Sequence, residues 1–576
     1  MSRRLCFRSM LGIVALGLGL RVLLARDLGF HSDEATFVVT ASQPGLAEVW
    51  RNSLVNSHPP GHYFLLHGLL GVSWHPLWLK LPSLLAGTGA IALVYFFAAR
   101  LVGPGAGLVA ALLAALSPQL VGLSLTTRNY SVGFLFLLAT LVCAGRVLER
   151  TAAGRDARQQ AALLRALWGL GLFQLLALLW HYGFIAALAG VDAVVLWSLT
   201  RVRAPLRVWL HAAAAQLPAV GFCAFAYASH IAAHAVRSRE YVNEVFGPYF
   251  SLQPVGEHLA RLRGVLRPVL GSCEYLAAPW GAALFALALL GALVLAWRRR
   301  WWALGLLLAP FPFAYGLMLS GSIPFGELRH SAYLFPFLFG LAGAALELAW
   351  QAASSRLRPG LALLACTAGL VFGATSLQRL WEGPVTQGGF IPDINRVTHF
   401  ETATRRSDLR SLEQALESRS DEGDAVLLSY QSLQTLWIHW ALGPLRFDLG
   451  EPVDFVHAGR RFHYSPVVGW SFSAGRLLDA IAEIEARRGE PFEGQVWVPT
   501  TGWELYSPSL GELLPVLYPR AFPRGRGVVV VRNPSHQVLL SGAAAARLRK
   551  LPRLSDRAEF SKNVRYVLER AAQGDD

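Results

Sequence analysis

The sequence predicts a polytopic α-helical membrane protein of about eleven transmembrane helices, followed by a C-terminal α/β domain. Three observations carry that expectation. The 576 residues are 54% hydrophobic and only 15% charged, with a mean hydropathy of +0.40, whereas soluble globular chains carry about 25% charged residues. The apolar residues fall in runs of about twenty, the length that crosses a bilayer core of ~30 Å. Arginines collect in alternate loops. A soluble enzyme, a disordered scaffold and a collagen-like fibre are thereby excluded. The net charge of +15 is almost entirely arginine, with lysine only at Lys80, Lys550 and Lys562. In a polytopic chain such a balance points to cytoplasmic-loop anchoring, and no nucleic-acid partner is expected. The five cysteines form neither a disulfide framework nor a metal-ligand pattern.

The elements follow in order. A basic N-terminus precedes an apolar run from Met10 to Ala25. It resembles a signal peptide in charge order but lacks a convincing small-residue cleavage site, and reads as the first membrane helix. Further spans are expected near 76–99, 105–123, 131–147, 166–180, 182–200, 208–229, 279–297, 301–319, 331–350 and 359–377. With the N-terminus inside, every predicted cytoplasmic loop is basic: Arg3, Arg4 and Arg8; Arg100; Arg150, Arg155 and Arg158; Arg201, Arg203 and Arg207; Arg298–Arg300; Arg356 and Arg358. The positive-inside rule expects this alternation. His62–Val72 is too short to cross and reads as an interfacial or re-entrant helix. The odd count leaves residues 378–576 outside, together with two long external loops, 26–75 and 230–278, of the membrane domain 1–377. In the tail, Ala425–Tyr430, Gln495–Thr500 and Gly527–Arg532 read as strands, and Leu409–Glu417 and Gly475–Arg488 as amphipathic helices. Strands alternating with helices suggest an α/β domain. The basic stretch Ala543–Arg570 reads as helical.

The chemistry-bearing residues concentrate on the external side. They are His31, Asp33 and Glu34; His58 and His62; Lys80; Arg128 and Tyr130; His181 and Tyr182; and Glu327, Arg329, His330 and Tyr333. Charges at membrane depth are costly and usually functional. A carboxylate pair beside the first helix can serve as general base or hold a divalent cation. Arginines at helix ends suit phosphate, through bidentate hydrogen bonds. A base and a phosphate clamp together describe displacement at a carbon bearing a phosphate leaving group. Singly, each residue also has a plainer use: Asp33-Glu34 as helix caps, His58-Pro59-Pro60 as a turn, Arg128 and Tyr130 as interface anchors, His181 in an aromatic belt, and Lys80 snorkelling. A lipid or sugar transporter and a catalytically idle assembly partner are the competing classes. Neither a nucleotide-binding nor a metalloprotease motif occurs.

The motifs in order resemble the protein O-mannosyltransferase-like branch of the GT-C glycosyltransferases, which includes the lipid A aminoarabinose transferases. The resemblance lies in Asp33-Glu34 after the first helix, His58-Pro59-Pro60-Gly61-His62-Tyr63, and Leu79-Lys80-Leu81-Pro82-Ser83. It continues through Ser117-Pro118, Arg128-Asn129-Tyr130, His181-Tyr182, Arg329-His330-Ser331-Ala332-Tyr333-Leu334-Phe335-Pro336 and Gly423-Asp424-Ala425-Val426. It implies a GT-C-like fold in a bacterial inner membrane with a periplasmic active site and tail. It also implies a polyprenyl-phosphate-linked sugar donor and a lipid, glycan or protein acceptor. Asp33 matches the first-loop catalytic acid, with Glu34 its partner and both the candidate ligands of any divalent cation. His58, Lys80, Arg128, Tyr130 and Arg329 fall to the donor phosphate. His31, His62, His181, Tyr182, Glu327, His330 and Tyr333 are candidate substrate contacts. The chain departs from several relatives in lacking a second aspartate soon after Arg128, where it reads Ser131-Val132-Gly133-Phe134.

Overall fold

In lipid a chain must satisfy its own backbone hydrogen bonds, so long apolar runs become helices. The computed structural model describes residues 3–382 apart from 27, 31, 55–57, 153–156, 233–261 and 321. Beyond residue 408 it describes 409–500 apart from 411, 415, 417–419, 422, 441–451, 468–470 and 473, and then 505–506, 524, 527–532 and 564–567. The helices are α1 (Arg3–Ala25), α2 (Ser32–Ala41), α3 (Leu46–Ser53), α4 (Gly61–Leu70), α5 (Pro76–Leu101), α6 (Pro104–Leu116), α7 (Pro118–Ser124), α8 (Tyr130–Ala152) and α9 (Ala157–Trp180). They continue as α10 (Ile185–Arg201), α11 (Leu206–Ala226), α12 (Leu262–Ala277), α13 (Gly281–Trp297), α14 (Trp301–Leu308), α15 (Pro310–Leu319), α16 (Phe335–Ala352) and α17 (Arg358–Glu382).

Among the described residues eight helices are long and apolar enough to cross a membrane, or ten if each of two bent pairs is one span. The chain is a multi-pass membrane protein. The span expected at 105–123 is broken: α6 and α7 meet at 63°. Pro118 lacks an N–H and its ring crowds the preceding turn, and Ser117 restarts the helix by accepting from the N–H of Leu120. The expected loop 230–278 contains helix α12, which meets α13 at 119°. The span expected at 359–377 falls on α17. At 180–182 the division is real, because α9 ends at Trp180 and a 3-10 turn, Tyr182–Phe184, precedes α10.

Two compact units result. The first comprises Met1–Ala25, Trp50–Leu65 and Lys80–Trp381; the second comprises Arg26–Val49, Leu66–Leu79 and Glu382–Asp576. The second therefore takes in parts of the first external loop that a division at residue 377 assigns to the membrane domain. The first unit has one apolar core running from Met10 through α5–α16 to Phe372. Small residues let its helices approach closely, as membrane packing favours; Ala106, Ala110 and Ala114 of α6 are all buried.

The second unit holds a six-stranded sheet in the order β2-β3-β1-β5-β7-β8. Its strands are β1 (Ala425–Leu428), β2 (Val453–His457), β3 (Arg460–Tyr464), β5 (Gln495–Thr500), β7 (Gly527–Arg532) and β8 (Val564–Val567). All neighbours pair in parallel except β2 and β3, a hairpin. A separate pair joins β4 (Ser471–Phe472) to β6 (Leu505–Tyr506). Helix α18 (Tyr430–His439) starts where a longer first strand was expected, because Ser429 Oγ accepts from the N–H of Ser432 and caps it. Helix α19 (Ala474–Arg488) matches the amphipathic pattern. The expectation of a helix through Ala543–Arg570 fails at β8, a strand that pairs in parallel with β7.

Candidate active site

The loop between α7 and α8, residues 125–129, is held by its carbonyls. Lys80 Nζ donates to Leu125 O at 3.0 Å, and Ser83 Oγ donates to Arg128 O at 3.2 Å. Asn129 Nδ2 donates to Trp180 O at 2.6 Å, tying the loop to the end of α9. Lys80, read from sequence as a phosphate ligand, is thus 1% exposed and engaged with backbone. The turn that carries His58 and His62 packs against the same end of α9, since a side chain at Gly61 would meet Leu179 O at 2.6 Å.

These supports bring a set of basic and aromatic side chains together. Arg128 Nη2 lies 3.0 Å from His58 Nε2, and its guanidinium stands 5.5 Å from the centre of the Tyr130 ring. The His181 ring is 5.1 Å from Tyr130 and 6.3 Å from His58, and stacks on Phe184 at 4.9 Å. Arg329 and His330 lie close enough to act electrostatically on His58. Tyr333, in the 3-10 turn Arg329–Leu334, packs its ring edge against Phe184 at 6.2 Å. Gly326 N–H donates to Ser331 Oγ and Ser272 Oγ donates to Gly326 O, which fixes this turn against α12.

The protonation pattern follows from these contacts. A guanidinium only donates, so His58 Nε2 accepts and the ring is neutral. Burial, then Arg128, His181, His330 and Arg329, pushes its pKa well below the ordinary value. Burial and the arginines lower His181 to about 3. Burial lowers His62 to about 4, against a raising contribution from the Thr127 backbone. His181 Nδ1 accepts from the N–H of Gly183 at 2.9 Å, so its one proton is on Nε2. That atom is buried without a hydrogen-bond partner among the described residues, and so is Tyr130 Oη; the two side chains are 6% and 1% exposed. Two buried donors thus stand near two guanidiniums, a donor set able to bind an anion.

The other expected residues lie elsewhere. Tyr182 Oη is 2.9 Å from Nδ1 of His230, a residue that sequence reasoning missed and that a π-turn, Tyr227–Ile231, places at the end of α11. Glu327 is partly exposed and lies beside Gly271 of α12. Asp33 and Glu34 belong to the second unit, in the first turn of α2, where the helix dipole favours negative charge. Glu34 is fully buried, and one turn on Thr36 Oγ1 donates to Gln434 Oε1 of α18 at 2.9 Å. His31 lies outside the described residues. Among the described residues no group of three or more His, Cys, Asp or Glu side chains is set to hold a metal ion.

Residues 57–220, which carry His58, Arg128, Tyr130 and His181, match the family of dolichyl-phosphate-mannose-protein mannosyltransferases. That segment is similar to the GT-C glycosyltransferases. The match includes the loops that carry these four side chains and stops short of Arg329, His330 and Tyr333. No curated protein matches the chain. Among solved structures, the chain is similar to ArnT from Cupriavidus metallidurans bound to undecaprenyl phosphate, with 13% identity and a TM-score of 0.44 over 88% of this chain and 95% of that one. It is also similar to the Archaeoglobus fulgidus oligosaccharyltransferase tethered to an acceptor peptide, with 14% identity and a TM-score of 0.41. That match covers 76% of this chain and 63% of the oligosaccharyltransferase, so the chain spans under two thirds of that enzyme's length.

Proposed function

We propose that the protein transfers a monosaccharide from a polyprenyl-phosphate donor to an acceptor hydroxyl, with inversion, at the periplasmic face of a bacterial inner membrane. The observation that carries the reading is the pair of buried donors, His181 Nε2 and Tyr130 Oη, beside Arg128 and Arg329. Such an arrangement is idle without an anion, because each buried unsatisfied group costs about 1–3 kcal/mol. A lipid phosphate supplies acceptor oxygens from within the bilayer. As the bond from the anomeric carbon to the phosphate oxygen breaks, charge gathers on the phosphate. Donors already in place there lower the barrier without reorganising. The phosphate leaves as a stable anion and needs no acid.

Asp33 is assigned the acceptor proton on the strength of its motif, with Glu34 as its partner. A transfer assay in native membranes, run with a panel of radiolabelled polyprenyl-phosphate sugars, tests the reading. Asp33→Asn is expected to lower transfer by about 10²–10⁴-fold while donor binding persists. Donor binding without transfer in the wild type, for every sugar and acceptor offered, would favour the transporter or idle-partner class. Full activity of Asp33→Asn would remove the base.

A further inference from the structure

A further buried cation lies outside this cluster. Arg21, near the end of α1, is 1% exposed inside an apolar helix. A charge at such depth is tolerated only with polar partners. Its partners among the described residues are a hydroxyl and two carbonyls: Nε donates to Ser124 Oγ at 2.8 Å, and Nη1 donates to Gly17 O at 3.0 Å and, more weakly, towards Ala115 O at 3.5 Å. Ala115 is at the end of α6 and Ser124 is the last residue of α7. One guanidinium therefore touches both arms of the bent span.

The location fits the needs of a broken helix. At a helix end the last carbonyls lose their intrahelical donors and gather negative partial charge. Within the membrane no water replaces them. A planar group with donors pointing in several directions can serve two arms at once, which a lysine ammonium does less well. The surrounding chain leaves room for it. A Cβ at Gly17 would crowd Ile91 and stand 3.3 Å from Arg21 Nη1, and one at Gly87 would collide with Ser124 and stand 3.5 Å from Arg21 Nε. Glycines on α1 and α5 thus line the slot in which the guanidinium lies.

We propose that Arg21 is a positioning residue for the anion site, cross-linking α6 and α7 so that the bend, and with it the Leu125–Tyr130 loop carrying Arg128, is held in place. The inference rests on the phosphate-binding reading above. Ser124 immediately precedes the loop, and Lys80 and Ser83 pin the carbonyls of Leu125 and Arg128 from α5. Arg21 fixes the base of the loop and α5 fixes its course.

The experiment uses the full chain in lipid nanodiscs with undecaprenyl phosphate as probe, for Arg21→Lys, Arg21→Gln, Ser124→Ala and Arg128→Ala, and for Arg21→Lys and Ser124→Ala each combined with Arg128→Ala. Arg21→Lys and Arg21→Gln should weaken binding by roughly tenfold, within the ~10²-fold that a 1 Å misplacement can produce. Ser124→Ala, which removes one bond and keeps the fold, should weaken it less. In the Arg128→Ala background neither Arg21→Lys nor Ser124→Ala should weaken binding further, because the effect runs through Arg128. Amide hydrogen exchange at residues 125–130 should quicken in the Arg21 and Ser124 variants, with or without lipid. Wild-type binding in folded Arg21→Lys and Ser124→Ala, or an equal loss with and without Arg128, overturns the proposal. If the wild type binds no undecaprenyl phosphate, the phosphate reading fails, and unchanged exchange at 125–130 then overturns the positioning role by itself.

Discussion

Arg128 donates through Nη2 to Nε2 of His58 at 3.0 Å, so an arginine and a histidine stand side by side with only one of them charged. Both partners come from loops. The pairing is possible because the histidine gives up its proton at that nitrogen, and because burial and four neighbouring basic groups make protonation costly. The arginine stays charged and is steered by a neutral neighbour.

This neutrality sets a pH dependence. In the unfolded chain a histidine titrates near 6.5, whereas in the fold His62 is lowered to about 4, His181 to about 3 and His58 well below its ordinary value. Below pH ~6.5 the unfolded chain binds more protons than the native one, so stability falls as pH falls, by up to about 1.4 kcal/mol per pH unit for each group. Thermal unfolding of the purified protein between pH 7.5 and 4 should show the decline. His181→Phe, which keeps the stack on Phe184, should make it shallower; an identical slope would contradict the neutral state assigned to His181.

Tyr130→Phe separates binding from stability. The hydroxyl is buried without a partner among the described residues, so its removal should raise the melting temperature of the ligand-free protein, relieving up to about 1–3 kcal/mol of lost hydration. The same change should weaken phosphate binding. A variant less stable than the wild type would mean that the hydroxyl has a partner in the resting protein.

Arg128 and Arg329 both act on the same histidines, and under the proposed function one phosphate between them would make their contributions interdependent. Arg→Lys at either position keeps the charge but loses the planar fork, and should reduce undecaprenyl-phosphate affinity. Alanine should reduce it more, by about 1.5–3 kcal/mol for each charged hydrogen bond lost. The double alanine variant should depart from the sum of the single effects. Strict additivity, measured by titration in nanodiscs, would place the two arginines on different ligands.

In the second unit Asp424, 4% exposed, accepts from the N–H of Gln495 at 2.7 Å, from Trp497 Nε1 at 2.8 Å and from the N–H of Asp421 at 3.0 Å. It fastens the start of β1 to β5. Asp424→Ala leaves three donors short of an acceptor and should destabilise the sheet by a few kcal/mol, seen as faster proteolysis of the tail at unchanged membrane insertion. Wild-type protease resistance would rule out this role.

The spans were legible because lipid imposes length and apolarity together, and β1, β5 and β7 because Ala-Val-Leu-Leu, Gln-Val-Trp-Val-Pro-Thr and Gly-Val-Val-Val-Val-Arg are short apolar runs. The hairpin of β2 and β3 was not. Its strands read Val-Asp-Phe-Val-His and Arg-Arg-Phe-His-Tyr, and its turn rests on positive φ at Ala458 and Gly459, a local signal masked by charge. Arg128, Tyr130 and His181 were legible as a set because the first two border the α7–α8 loop and the third the break between α9 and α10, on one predicted face. The missing protons of the site were not, since they depend on who donates to each ring. Arg21 was overlooked because an arginine near a span's end reads as snorkelling until Ser124 and Ala115 are found beside it.

The bend between α6 and α7 also bears on how a greasy carrier reaches the site. Thirteen residues of α6 rise about 20 Å, and the seven of α7, turned by 63°, add about 5 Å along the same axis. The hydrocarbon slab is ~30 Å thick. A bent pair of this length falls about 5 Å short of such a slab, a mismatch that a bilayer meets by thinning around it. Under the proposed function, such thinning would let a prenyl chain enter sideways with its tail still among the acyl chains, so that only its phosphate need leave the lipid phase.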